Sequence, residues 1–172
     1  MELYLIRHGR QSSRLCNVNV DLSPEGRRQS ALLGHRLADW GIEVLYSSSL
    51  IRAVQTAEEI NRFLLLPHQV CPELGEISFG EMEGFPDEEI AVRFREFKER
   101  QAAMTEDLPY PGGECAADVI RRAGPVLERL AESGHERIAV VTHGGVIRTM
   151  AAWYLGTVSY THLRAHETGA YL

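Results

Sequence analysis

The 172-residue sequence is poor in cysteine, with three, and in tryptophan, with two. It has no apolar run near the ~20 residues that span a bilayer. Cys16, Cys71 and Cys115 are odd in number, widely spaced and free of any C-x-x-C pairing. That excludes a disulfide framework and suits small core or surface thiols in a reducing cytoplasm. Of the three, Cys16 is the one to watch, because it lies close to His8 in sequence. The N-terminus carries no basic region, no long apolar segment and no small-residue cleavage site, so no signal peptide is expected. There is no block of like charge: the formal net charge is −6 and the arginines are scattered. A nucleic-acid partner is therefore not expected, nor a membrane partner, and any cationic site has to be assembled by folding. No metal-ligand spacing, internal repeat or domain linker is visible, and the sequence carries no signal for an oligomeric state.

What is present is an ordinary globular mixture, 44% hydrophobic and 24% charged, long enough for one domain with a substantial core. Leu3 to Ile6 read as a short buried strand. Ser23-Pro24-Glu25-Gly26 opens a helix with Ser23 as N-cap and Pro24 at the first helical position. Leu33, Leu37 and Trp40 continue its apolar face, and Gly41 ends it. Val44 to Tyr46 form a second strand, followed by Ser47-Ser48-Ser49. A helix then runs from about Leu50 to Phe63, with Val54, Ala57 and Ile60 on one face, and Pro67 stops it. His68 to Val70 form a third short strand. Residues 72–86 are rich in glycine and proline and irregular. The stretch V-R-F-R-E-F-K-E-R reads as one charged, solvated helix. Pro109 to Gly113 form a turn, and Val119, Ala123, Val126, Leu127 and Leu130 mark an amphipathic helix. Ile138 to Val141 have the continuous apolar character of a strand buried on both faces. A last helix runs to about Leu155. Strands alternating with helices argue for an α/β fold, a mostly parallel central sheet flanked by helices.

Residues 157–172 do not continue this pattern. Val158 to Thr168 read, codon by codon, as a transposase-type sequencing adapter. The expectation is a domain over residues 1–156, incomplete at its C-terminal end, with a non-native tail over 157–172. His162 and His166 are therefore set aside.

In open α/β sheets ligands bind beyond the carboxyl ends of the strands. Arg7-His8-Gly9 ends the first strand, Ser47 to Ser49 the second, with Arg52 in the next helical turn, and Thr142-His143-Gly144-Gly145 the last. A single histidine after an apolar run is ordinarily a hydrogen-bonded boundary residue, and a single arginine in a first helical turn ordinarily lies at the surface. The joint pattern changes that reading. Three strand ends can bring two histidines and two arginines to one pocket, with two helix N-termini aimed at it. Gly9 and Gly144 would let backbone approach a ligand. Such a pocket suits a tetrahedral dianion. Neutral imidazole is a nucleophile near pH 7, and attack on phosphorus would give a phosphohistidine. A general acid is then required, and Glu73 to Glu83 supply candidates.

Several stretches together resemble the histidine phosphatase superfamily, the phosphoglycerate mutase-like fold. They are R-H-G, L-S-P-E-G-R-R-Q, S-S-S-L-I-R-A-V-Q-T-A, L-G-E-I-S-F-G-E-M-E-G, P-G-G-E and V-V-T-H-G-G. The resemblance covers about residues 1–156 and implies a three-layer sandwich. It implies His8 as nucleophile, a phosphate pocket of Arg7, Arg52 and His143, and Glu76 as proton donor, with Glu81 and Glu83 as loop carboxylates. It implies no metal and no cofactor, and a small phosphorylated metabolite as substrate; alpha-ribazole phosphate and sugar phosphates both fit. Where many members carry a Trp-Asn pair after R-H-G, this chain has Ser13-Arg14. Asn17 or Gln11 is the candidate for the phosphate-touching role. The mutases' Gly-Trp dipeptide is missing, which favours a metal-independent phosphomonoesterase over a phosphoglycerate mutase-type phosphotransferase. A non-catalytic phospho-ligand binding module is disfavoured because no histidine or arginine of the set is lost. Substrate choice rests with the segment from Gln11 to Asn17, residues 79–86, and the region of Phe94, Phe97, Met104 and Tyr110.

Overall fold

The computed structural model describes residues 1–103 and 105–157. Met104 and residues 158–172, with His162 and His166, lie outside the described residues. Four strands, β1 (Glu2–Arg7), β2 (Val44–Ser47), β3 (His68–Val70) and β4 (Arg137–Thr142), form a sheet of order β1-β4-β2-β3. Every described pairing is parallel, with Arg7 opposite Thr142 and Ser47 opposite Val141. Parallel strands need crossovers, and among the described residues α1 (Pro24–Leu37), α2 (Ile51–Leu64), α3 (Asp87–Arg93), α4 (Arg95–Ala103) and α5 (Ala116–Ala131) lie between strands, while α6 (Gly144–Tyr154) follows β4.

The central strand β4 explains the layering. Ile138 to Val141 are all fully buried, and they alternate between two cores. Ile138 and Val140 pack with Val119, Ala123, Val126, Leu127 and Leu130 of α5 and with Val146 and Met150 of α6. Ala139 and Val141 pack with Leu37 of α1 and Ala53, Ala57 and Ile60 of α2. Each large aliphatic side chain so buried contributes about 1.5–3 kcal/mol of transfer free energy. The result is the three-layer sandwich expected from the sequence.

Local signals set most boundaries. Ser23 Oγ accepts from Gly26 N at 3.0 Å, with Pro24 at the first helical position. Two expectations are corrected. Helix α1 ends at Leu37, not near Gly41: Trp40 N donates to Leu37 O and closes the last turn, so Trp40 leaves the helical face and packs its ring 5.3 Å from Tyr4. The arginine-rich stretch is two helices rather than one, broken at Phe94 (φ −113°, ψ 30°). The i,i+4 pairs Glu89–Arg93 and Arg95–Glu99 each lie within one helix, and among the described residues no ion pair spans the break. Among the described residues no helix is long and apolar enough to cross a membrane.

Candidate active site

Because β4 lies between β1 and β2, three strand ends are neighbours. His8 N donates to Thr142 O and Ser48 N to Val141 O, both at 3.0 Å, so the three exits are tied together by main chain. Two histidines 135 positions apart then sit with ring centroids 5.1 Å apart.

The protonation of His8 follows from its partners. Its Nδ1 lies 2.7 Å from Gly9 O, a group that only accepts, and its Nε2 receives Arg52 Nε at 3.2 Å, a group that only donates. His8 is therefore the Nδ1–H tautomer, with the Nε2 lone pair turned to the guanidinium. Burial, then Arg52 and Arg7, lower its pKa from 6.5 to about 4, against the opposing pull of Gly9 O. His143 is 0% exposed. Burial first, then Arg52, His8, Arg122 and Arg7, lower its pKa to about 2. Both rings are neutral at pH 7.

This has a consequence for stability. The unfolded chain takes up protons near pH 6.5, while the folded chain leaves His8 neutral down to about 4 and His143 further still. The stabilisation is fully present above pH 6.5 and is lost as the pH falls below it. His68, also lowered by burial, adds in the same direction. The urea midpoint should fall steadily between pH 7 and about 5, before most carboxylates titrate. A flat midpoint across that range would contradict the assignment.

Arg52 is 2% exposed. Besides His8 it donates to Val18 O at 3.0 Å and to Asn17 Oδ1 at 2.7 Å. Among the described residues it forms no ion pair with a carboxylate. Glu76 and Glu83 act on it only through space, so the buried guanidinium keeps charge available to an incoming anion. Arg7 is exposed at the mouth, and its Nε would stand 3.6 Å from a Cβ on Gly144.

Glu76 closes the other side. Its Oε1 accepts from Ile77 N at 2.9 Å and its Oε2 from Gly145 N at 3.2 Å. A Cβ at Gly145 would meet that carboxylate and Ile77 Cγ2, so a larger residue here would displace the Glu76 side chain. The carboxyl is thus held against the first turn of α6, one residue past Gly144. The sequence-based expectation that two helix N-termini serve the ligand is corrected in part. The Gly145 N–H goes to Glu76, and the Ile51 N–H of α2 goes to Asn19 Oδ1 at 2.8 Å.

The role expected of Gly9 also changes. Its N–H donates to Thr56 Oγ1 at 2.9 Å, and an added Cβ would lie 2.6 Å from Gly26 O. A glycine here lets the post-β1 loop cross α1 at close range. Asn17, at φ +47°, is brought to the site, but its amide is shared between Arg52 and Glu83 Oε1 at 2.9 Å. Gln11 turns its Nε2 into its own loop, onto Ser13 O at 3.0 Å. Glu83 Oε1 also accepts from Phe79 N at 2.9 Å, and a Cβ on Gly112 would come 3.4 Å from Glu81 Cγ, so both stand as loop carboxylates. Burial, with Glu83 and Asp87 nearby, raises the Cys16 thiol, so it is not a reactive thiolate. Tyr110 packs against Phe79 at 4.7 Å and Phe97 at 5.4 Å, while Met104 lies outside the described residues. Among the described residues no group of three or more His, Cys, Asp or Glu is disposed to hold a metal ion.

Arg122 has no counterpart in the sequence reading. It forks onto Glu114 at 2.8 and 2.9 Å and donates to the carbonyls of Glu73, Gly75 (2.9 Å) and Glu76 (3.1 Å). It clamps the segment that carries Glu76. Its partners lie up to 49 positions away and are mostly carbonyls, which every residue type offers. Only Glu114, within P-G-G-E, gave any sign.

A profile of the histidine phosphatase superfamily (branch 1) matches residues 3–170. The chain belongs to that superfamily. This superfamily member is 32% identical over 162 residues to the phosphoglycerate mutase-like protein 4 of Arabidopsis thaliana, covering 87% of this chain and 69% of that one. It is also 32% identical over 158 residues to the metal-independent phosphoserine phosphatase of Arabidopsis thaliana, covering 87% of this chain but only 66% of that protein, just under two thirds. Among solved structures, the superfamily member is similar to a mycobacterial glucosyl-3-phosphoglycerate phosphatase in complex with VO3. The TM-score is 0.81 and the identity 26%, over 92% of this chain and 82% of that one. The alpha-ribazole phosphatase from Shigella flexneri gives a TM-score of 0.79 at 26% identity, over the same shares. Superfamily membership and these relatives support phosphatase activity in general.

Proposed function

We propose that this chain is a metal-independent phosphomonoester hydrolase that works through a phosphohistidine on His8 and takes a small phosphorylated metabolite. The observation that carries the reading is the forced tautomer of His8, whose Nε2 lone pair is free of its own proton and lies beside a buried Arg52 that forms no direct ion pair among the described residues. Arg7, Arg52 and His143 hold the phosphoryl oxygens, with Asn17 positioning Arg52 and Gly144 leaving the mouth open to Arg7. The Nε2 lone pair forms the N–P bond as the ester P–O bond breaks, and Glu76 delivers its proton to the departing oxygen. Glu76 then takes a proton from the water that attacks phosphorus, the N–P bond breaks, and inorganic phosphate leaves with His8 restored. The relatives named for phosphoserine, glucosyl-3-phosphoglycerate and alpha-ribazole phosphate support a small phosphorylated metabolite as substrate.

The test is rapid quenching with a radiolabelled phosphomonoester, which should leave an acid-labile, alkali-stable label on the protein. Absence of label under single-turnover conditions would sink the covalent route. Stimulation by a bisphosphorylated primer with phosphoryl transfer between hydroxyls would select a mutase instead. In Glu76→Gln, turnover of an alkyl phosphate should fall about 10²-fold or more, and that of an aryl phosphate much less, because a good leaving group needs little protonation. Equal slowing of both would point to another acid.

A further inference from the structure

Ser48 lies at the end of β2 and is 0% exposed, as is His143. Its Oγ is 2.7 Å from His143 Nε2 and accepts from Leu50 N at 3.3 Å. The other ring nitrogen, His143 Nδ1, is buried and has no partner among the described residues. Two tautomers are possible in principle, and hydrogen-bond accounting separates them. If Nε2 carried the proton, it would donate to Oγ, and two buried groups would be stranded: the Nδ1 lone pair and the Ser48 hydroxyl hydrogen, which has no other acceptor among the described residues. If Nδ1 carries the proton, the hydroxyl donates to Nε2, and the single group left over is the Nδ1–H. Each stranded buried polar group costs about 1–3 kcal/mol, so the second arrangement wins.

We infer that Ser48 is a positioning residue that fixes His143 as its Nδ1–H tautomer, so that a neutral imidazole donates a hydrogen bond to a phosphoryl oxygen. The inference rests on the phosphatase reading for the identity of the acceptor, but not for the tautomer. It makes the two histidines complementary. In each, Nδ1 holds the proton; on His8 that proton is spent on Gly9 O and the bare nitrogen faces the guanidinium, while on His143 the bare nitrogen is spent on Ser48 and the proton is available. The same ring thus serves one position as nucleophile and the other as donor, and the partner of the remaining nitrogen decides which.

The experiment is nitrogen NMR of the full chain labelled at histidine, with and without orthovanadate, together with steady-state kinetics on an aryl phosphate. The expected wild-type spectrum has His143 protonated at Nδ1, with that signal moved by vanadate. Ser48→Ala should shift the ring toward the Nε2–H form and lower kcat about 10-fold or more with little change in KM, and Ser48→Thr, which keeps the hydroxyl, should restore both. A wild-type His143 protonated at Nε2, or a Ser48→Ala protein that keeps the Nδ1–H form and its kcat, would overturn the inference. If Ser48→Ala does not fold, the wild-type and Ser48→Thr spectra still decide the tautomer. A wild-type protein with the Nδ1–H form and no phosphatase activity would uphold the role of Ser48 and refute the proposed function.

Discussion

His8→Ala is expected to lower kcat on an aryl phosphate by about 10⁴-fold or more, with no trapped phosphoenzyme, while orthovanadate still binds. Two effects are separated by this result. The variant removes the Nε2 lone pair, so water would have to attack phosphorus directly. It leaves Arg52 anchored by Val18 O and Asn17 Oδ1, and leaves Arg7 and His143 in place. The anion site therefore survives the loss of the nucleophile, and affinity for vanadate should change far less than turnover. Removing a buried imidazole that resists protonation also removes part of the acid sensitivity described above. Retained activity in His8→Ala, or abolition of wild-type activity by a chelator, would refute the mechanism.

Arg52→Ala should cost both stability and activity, and Arg52→Lys should recover little of either. The guanidinium projects three donors in three directions: Nε to His8, Nη1 to Val18 O and Nη2 to Asn17 Oδ1. An ammonium on a flexible stem restores the charge but not that fork. Truncation to alanine opens a cavity at a nearly sealed position and strands the Val18 carbonyl. A loss of about 2–4 kcal/mol, read as a lower denaturant midpoint at unchanged slope, is expected. Activity should drop about 10³-fold, because the variant loses both a phosphate ligand and the group that faces the His8 lone pair. The loop from Asn17 to Val18 depends on the same side chain, so KM should rise as well as kcat fall. A fully active, fully stable Arg52→Lys protein would show that charge alone is what position 52 supplies.

The order of strands and helices was legible because it is written in short-range patterns. Ser23-Pro24 marked the start of α1, the spacing of Val119, Ala123, Val126 and Leu130 marked α5, and the unbroken run from Ile138 to Val141 marked the central strand. R-H-G and T-H-G-G pointed to strand ends, and parallel α/β architecture gathers strand ends on one side of the sheet. The misreadings were equally local in origin. Helical periodicity carries through Trp40 and Phe94 on paper, but nothing in it reports that Trp40 finds Tyr4 or that the chain turns at Phe94.

By itself, then, the amino-acid sequence determined most of the elements, the parallel character of the sheet and the residue types at the strand ends, since those are read from patterns within a few positions. Only the tertiary structure decided which nitrogen of His8 bears the proton, which groups crowd Gly9 and Gly145, what Asn17 holds, that Ser48 meets His143, and that Arg122 clamps the Glu76 segment. Most of those are pairwise matters between groups remote along the chain, such as Arg52 with Asn17, 35 positions apart, and Ser48 with His143, 95 apart. A hydrogen bond depends on distance and direction to a tenth of an ångström, and for partners so remote along the chain only the packed fold sets either.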